Sequence, residues 1–577
     1  MNKIQNRSLL RRAENGDSQA QAEMALKCII SHDTDGAWKW ANLSSEQKNP
    51  DGLYALGMCY MSGYGTEINL NKAWNIFKES IETGCTRAYT GLAGVLTFKG
   101  EPFGKESREY VKKAADANDS KGLYLLSLLY KDGLGVIRSK KRSLELLIMS
   151  SKQNFPPAMY DLAREFLDDE WQGKYQKRGI ELLKKAAGEG FAKAEAFLGY
   201  LTLEGKGVDK DEHKAFEMFE NAASKGNKEA MRSLGFCYLR GQGVTADKEK
   251  SAEWFKKAYE SGCEDCQEWA EIAQGGMDKL REMVKGGAIK EDFEFKAKVE
   301  KGAEEKDPEA LYELAYFYLT GKVGEILTYQ RDDKKGIELM KEAAHGGYSL
   351  AAFDLGCMYR EGQAGVMPDS TKSFLWFKKA AEMGNVKAMV NLGITLNDRN
   401  KYEESHKWLE KAAEAGDPVA KGILSVDYAY GKSFPIDEIK ALQLAKESAD
   451  GGCSIGNWIQ GAIYLYGNQV PRDKERGIEY LTMAANQEEI HAIVLMGRIF
   501  MGLFGEEYTD LELAEELLSK AAKQNNAEGF YLLGALYVNH FGEEEKGTKC
   551  LAIAAQMGNQ PAIDFLNQMR EHKENGE

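Results

Sequence analysis

Residues Leu234–Gly262, LGFCYLRGQGVTADKEKSAEWFKKAYESG, decide the fold. Leu234 and Tyr238 lie four apart, so they share one helix face. Gly235, beside Leu234, lets another helix approach closely. Gly241 and Gly243 follow, where a helix must stop and the backbone needs a left-handed residue that glycine adopts cheaply. Asp247 precedes a second apolar-periodic run, Ala252, Trp254, Phe255 and Ala258, with Lys256 and Lys257 on the wet side. Gly262 ends that run. The stretch reads as two short helices joined by a glycine turn.

The same pattern extends outward in both directions. The small residue after the leucine position can be followed as Ala25, Gly57, Ala93, Ser127, Ala163, Gly199, Gly235, Ala270, Ala315, Gly356, Gly393, Ser425, Gly461, Gly497 and Gly534. The usual step is about 36 residues, a period that signals a repeat solenoid. A second landmark keeps the same period. It is an Ala-Ala pair near the end of the second helix, as at Ala222-Ala223, Ala380-Ala381, Ala412-Ala413 and Ala521-Ala522. The predicted fold is therefore all-α: an α/α superhelical solenoid of about fifteen antiparallel helix hairpins. The chain begins mid-repeat, and a polar segment, Pro561–His572, closes the array.

Three stretches break the period. Asp168–Tyr175 replaces the glycine turn with acidic and aromatic residues, and Gly321–Asp333 enlarges it. Residues 264–302 keep Trp269 and Ala270 in register but lose the Trp-Phe-Lys-Lys pattern and carry glycine pairs at Gly275-Gly276 and Gly286-Gly287. The expected organisation is one continuous array over residues 1–577, with an irregular or hinge unit at 264–302 dividing 1–263 from 303–577.

The pattern L-G-x-x-Y-x-x-G-x-G-V, an acidic turn, then A-x-x-W-F-K-K-A-A-x-x-G resembles the Sel-1-like repeat, a relative of the tetratricopeptide repeat. The match is closest at Leu198–Gly226, Leu234–Gly262 and Leu355–Gly384 and loosest at Glu264–Gly302. The resemblance implies a stack of helical hairpins used as a protein-interaction scaffold or adaptor. It also implies an alternative, because some cysteine-rich secreted members bind or hydrolyse β-lactams; those carry regular cysteine bridges and a leader. A structural homo-oligomer is a third reading.

Composition narrows the choice. The 577 residues carry a formal net charge of −14, with 76 Lys and Arg mixed among 90 Asp and Glu. No basic cluster emerges, so a nucleic-acid partner is not expected. No run approaches the ~20 apolar residues of a membrane span. The N-terminal MNKIQNRSLLRRAENGD has no apolar segment after its charges, which points to a cytoplasmic protein. Nine cysteines without a leader favour reduced thiols. The equal spacing of Cys59/Cys85 and Cys237/Cys263 echoes the repeat, because those positions lie at opposite ends of a hairpin, beyond disulfide reach.

The chemistry of catalysis is not visible. Seven histidines are scattered along the chain with no H-x-x-x-H pair. Cys263 and Cys266 form a C-x-x-C with no second pair to complete a zinc site. No phosphate loop or nucleophile elbow occurs. The reading is a non-enzymatic protein with no metal and no cofactor.

Binding residues are sought on the first helices, which line the concave surface in tetratricopeptide-like solenoids. Two residues before each leucine position stand Tyr54, Tyr124, Tyr160, Tyr312, Phe353, Trp458 and Tyr531, and Tyr316 lies one turn beyond Tyr312. Aromatic anchors of this kind dominate interfaces. These eight are the candidate contacts for a peptide or protein partner. The aromatic residues Tyr238, Trp254, Phe255 and their equivalents are read as packing.

Overall fold

The computed structural model describes residues 3–168, 173–275, 288–323, 327–431 and 435–574. Among the described residues are 32 α-helices, most of them thirteen residues long. They alternate as first and second helices of successive hairpins, each packed on the next. A short antiparallel pairing, Lys322–Val323 with Leu327–Thr328, lies in the enlarged turn. The chain folds as two compact units, Met1–Met277 and Asp278–Glu577. The core of the expected hinge, residues 276–287, lies outside the described residues, as do 169–172 of the first irregular turn.

Within each unit, several first helices of neighbouring hairpins touch one another. Examples are Ser18–Ile30 with Pro50–Ser62 and Pro418–Tyr430 with Ser454–Tyr466. Among the described residues, second helices of neighbouring hairpins make no comparable contact. The first helices therefore line the inner face of each unit.

The hairpin that decided the fold forms as its residues dictate. Asn227 and Asp247 cap helices Lys228–Arg240 and Lys248–Glu260, accepting the Ala230 and Lys250 backbone N–H groups. Gly241 takes the left-handed conformation at φ 70° and ends the first helix. Gly243 is left-handed as well, and a side chain there would collide with the Glu212 carbonyl of the preceding hairpin. The turn is fixed at its far end by the Asp247 N–H, which donates to the Tyr238 carbonyl at 2.9 Å. The same bond recurs from Asn69 to Tyr60, Asp369 to Tyr359 and Asp473 to Tyr464.

Gly235 has a different task. A Cβ there would lie 2.7 Å from the ring of Phe255, which is fully buried. Phenylalanine recurs at this seam, eight residues after the second-helix cap, as Phe77, Phe219, Phe255 and Phe377. Each faces a glycine: Gly57, Gly199, Gly235 and Gly356. Where the small residue is Ser127, Ala163 or Ala315, the seam position holds Leu147, Leu183 or Met340. The larger ring is accommodated only where the opposing Cβ is missing. Full burial of such a ring contributes roughly 1.5–3 kcal/mol.

Of the repeated tyrosines, Tyr359 and Tyr428 are buried in the core as expected, and the others are partly covered. Tyr238 is half-buried, and the Lys250 ammonium lies over its ring at 5.6 Å. The same arrangement joins Lys72 to Tyr60, Arg142 to Tyr130, Lys335 to Tyr318, Lys372 to Tyr359, Lys440 to Tyr428, Arg476 to Tyr464 and Lys546 to Tyr537. Each cation lies three residues after the second-helix cap. These eight hairpins thus close over their turns with a cation–π contact, worth about 0.5–1 kcal/mol when exposed.

One expectation is corrected. Cys263 and Cys266 are joined by a disulfide, with their Cα atoms 5.5 Å apart. The Cys266 N–H donates to the Cys263 carbonyl at 3.1 Å, and this turn brings two side chains three residues apart within bridging reach. Cys59, Cys85 and Cys237 are free and buried, as the hairpin geometry predicted.

Candidate functional site

In the second unit the inner face opens into a cleft of about 490 Å³. Its walls come from the first helices Pro418–Tyr430, Ser454–Tyr466 and Ile490–Arg498, with Asn526 and Glu528 at the start of the next. On Ser454–Tyr466 the lining residues are Trp458, Ala462 and Tyr466, spaced by four. On Ile490–Arg498 they are His491, Val494, Leu495 and Arg498.

An aromatic row crosses three neighbouring helices. The Trp458 ring stacks on His491 at 4.3 Å and faces Tyr430 at 6.3 Å. Tyr466 packs near Phe504 at 5.8 Å. Tyr430 is 52% exposed and Tyr466 43%, so the row offers ring surface to a ligand. Burial among the cleft walls pushes the phenol pKa of both upward.

Charge is confined to the rim. His491 Nδ1 lies 2.9 Å from the Glu489 carboxylate. Burial raises the Glu489 pKa, but the hydrogen bonds from His491 outweigh it and hold the carboxyl below its usual range. Arg498 pairs with Glu528 at 3.6 Å. The cleft can hold an apolar or aromatic side chain by stacking, with polar groups at its edge. Its described lining contains no nucleophile beside a base. Among the described residues no group of three or more His, Cys, Asp or Glu could hold a metal ion.

The eight residues singled out in the sequence fall into different settings. Trp458 lies in the cleft. Tyr312 and Tyr316 both donate to the Asp354 carboxylate, at 2.9 and 2.8 Å, and Phe353 packs beside them against Phe377. Burial, then the Asp354 charge, pushes the Tyr316 pKa up to about 12, and the Tyr312 pKa rises further. Tyr124 donates to Asp161 at 2.8 Å. Tyr160 lies between Phe191 and Phe197. Tyr531 packs against the C-terminal helix cluster around Leu551. Tyr54 is buried at 7% exposure against Phe77 and offers little surface. Trp458 thus belongs to an open cleft, while the tyrosine hydroxyls near Asp161 and Asp354 tie one hairpin to the next.

Sequence reasoning missed Tyr430, Tyr466, His491 and Arg498. A signal existed, because these residues share helix faces with the register positions, Tyr430 and Tyr466 two turns beyond them, Arg498 one turn beyond and His491 one turn before. Leu503 had none. It reaches the cleft through a π-turn, Ile499–Leu503, in which Gly502 is left-handed at φ 98°.

Stacked hairpins, glycine turns and an inner face of first helices define a helical repeat protein of the tetratricopeptide-like kind. The particular family follows from the repeat itself. The Sel1 repeat pattern matches residues 50–84, 120–155, 156–191, 192–227, 228–263, 308–348, 349–385, 386–417, 424–453, 461–488 and 490–526. The chain belongs to the Sel1 repeat family.

Among curated proteins it is similar to chitin synthase regulatory factor 3 of Schizosaccharomyces pombe, 29% identical over 219 residues, 36% of this chain and 22% of that protein. It is similar also to chitin synthase regulator SKT5 of Saccharomyces cerevisiae, 27% identical over 202 residues, 33% of this chain and 29% of that one. The chain thus spans less than a third of the length of either regulator. Among solved structures, the c5321 protective antigen of uropathogenic Escherichia coli aligns over 96% of this chain and 97% of its own, at 21% identity and TM-score 0.29. Among the described residues no helix is long and apolar enough to cross a membrane.

Proposed function

We propose that this chain is a non-enzymatic adaptor that takes a protein segment on the inner face of its first helices, with the Trp458 cleft as the principal anchor site. The carrying observation is the aromatic row Tyr430, Trp458 and His491, left partly uncovered in a cleft of about 490 Å³. A monomeric protein seldom leaves such rings open without a partner. Two relatives are named as regulators of chitin synthase, which supports a role exerted through another protein.

The occupant that suits the cleft is a peptide with one large apolar or aromatic side chain. Burying that side chain on Trp458 makes the tryptophan a hot spot, worth about 2 kcal/mol or more on truncation, or roughly thirtyfold in affinity. The test is to pan a displayed random peptide library against the full chain and measure the enriched peptides on Trp458→Ala, Tyr430→Ala and Tyr54→Ala. Peptides with a shared aromatic or aliphatic anchor should lose roughly thirtyfold on the first variant. They should bind the Tyr54→Ala chain undiminished. Peptides that bind Trp458→Ala as tightly as the unaltered chain would refute the proposal.

A further inference from the structure

The first unit holds a second cavity, of about 330 Å³, between first helices Ala88–Phe98 and Ser120–Asp132. Two substitutions in the repeat open it. The inner-face position just after the small residue carries Met58, Leu128 or Phe236 in other hairpins, and here it is Gly94. The seam position that holds Phe77, Leu147 or Leu183 elsewhere is here Val111, which is buried but short. The second helix here, Lys105–Asp116, is capped at Gly104, so Val111 follows its cap by seven where Phe77 and Leu147 follow theirs by eight. Phe103 and Pro102 line the cavity at its turn end.

The lining is apolar apart from three hydroxyls and one amine. The hydroxyls are already committed. Thr90 donates to the Arg87 carbonyl at 2.8 Å, Thr97 to Ala93 at 3.1 Å and Ser107 to Pro102 at 3.0 Å. The amine is Lys121, the one charged group of the lining, half-buried in the first turn of Ser120–Asp132. Asp119, two residues before it in the chain, lies 3.9 Å from Arg87. Among the described residues Lys121 has no ion pair or hydrogen-bond acceptor.

A half-buried ammonium at the end of an apolar cavity favours an anion beside it, and the remaining wall favours hydrocarbon. Lys121, Leu125, Leu128 and Leu129 share one helix face. From Lys121 to Leu129 the helix rises about 12 Å, the length of an extended alkyl chain of about ten carbons. We propose that this cavity binds a medium-chain aliphatic carboxylate, with the carboxylate on Lys121 Nζ and the chain along Leu125, Leu128 and Leu129. The site is separate from the Trp458 cleft, and neither proposal depends on the other.

The test is calorimetric titration of the full chain with decanoate and with decanol, both below their aggregation limits. Lys121→Gln should weaken decanoate about tenfold or more, the worth of a charge-assisted hydrogen bond, and leave decanol unchanged. Gly94→Leu should abolish binding of both, because a leucine there fills the cavity. Its added Cβ meets only the flexible Met61 side chain, and leucine favours the helix more than glycine, so the variant keeps its fold. Circular dichroism of both variants checks that. Absence of decanoate binding to the unaltered chain would overturn the proposal. So would decanoate binding to Gly94→Leu with undiminished affinity, which would place the site elsewhere. Equal decanoate affinity in Lys121→Gln would remove the carboxylate from the assignment and overturn it as well.

Discussion

The pairing of phenylalanine with glycine across the hairpin seam yields a quantitative prediction at Gly235. A Cβ at this position would lie 2.7, 2.8 and 2.9 Å from three atoms of the Phe255 ring. Ordinary carbon contacts are about 3.5–4.0 Å, so the ring or the helix must move. The ring is held. It is fully buried, Phe236 packs edge-on at 5.0 Å, and Trp269 lies beyond at 6.2 Å. Overpacking of this kind costs about 1–3 kcal/mol. Against it, alanine gains about 1 kcal/mol over glycine inside a helix. Gly235→Ala should therefore fail to stabilise the first unit and should cost it up to about 2 kcal/mol, where helix propensity alone predicts a gain of about 1 kcal/mol. Phe255→Leu alone should cost about 1–2 kcal/mol through lost volume. In the double variant the leucine relieves the clash, as Leu183 does opposite Ala163, so the two losses should not add. The expected coupling is about 1 kcal/mol or more in favour of the pair. Urea unfolding followed by circular dichroism measures all three, with constant m-values as the check that one transition is being compared. Additivity to within about 0.5 kcal/mol would show that close approach is not why glycine stands here.

Three further outcomes follow from other parts of the chain. The raised pKa of Tyr316, about 12 in the fold, means that the folded state keeps its proton after the unfolded chain has lost it near pH 10. The corresponding stability is complete below about pH 10 and is lost as pH climbs toward about 12. Tyr316→Phe should flatten that alkaline decline, and an unchanged alkaline unfolding profile would contradict the assignment. Alkylation in denaturant without reductant should label the seven free cysteines and spare Cys263 and Cys266, giving nine labels only after reduction. Nine labels without reductant would refute the disulfide. The proposal that 264–302 divides the chain predicts first cleavage there in limited proteolysis, leaving fragments close to residues 1–263 and 303–577; first cuts within the regular hairpins would argue against it.

Much of the fold was legible because each hairpin states the same solution again. Leu234, Gly235, Tyr238 and Phe255 each have one packing task, and their period exposes it. The coupling of Phe255 to Gly235 was also written in the sequence, since Phe77, Phe219 and Phe377 face glycine too. So were the cations over the tyrosines, visible as Asp247 with Lys250, Asp369 with Lys372 and Asp473 with Arg476. These cations do not stand out within their own helix, because the partner ring lies on the other helix of the hairpin. The disulfide was missed for the opposite reason. Cys263 and Cys266 read as half of a zinc site with thiols kept reduced, whereas a single turn brings them within bridging reach.

The candidate sites were less legible, and the cause is physical. Periodicity reports what successive hairpins share, and what they share is mostly packing against one another. A binding surface must instead come from positions where one hairpin departs from its neighbours, so that the seam is left unfilled or the face uncovered. Val111 and Gly94 make such a departure by subtraction, and the cavity beside Lys121 is the volume they leave. His491 makes one by addition, placing a ring where other hairpins put Asp51, Lys121 or Glu229, so that Trp458, at a position that is aromatic elsewhere too, stacks on it across helices. The π-turn that delivers Leu503 to the cleft adds a backbone departure to the side-chain one. Of the eight aromatic positions chosen from the repeat register, Tyr54, Tyr124 and Tyr312 turned out to serve the register itself, through Phe77, Asp161 and Asp354. A position that recurs as an aromatic is therefore better evidence for cohesion of the array than for recognition. The informative positions for partner choice are those, like His491 and Val111, that their own repeat does not predict.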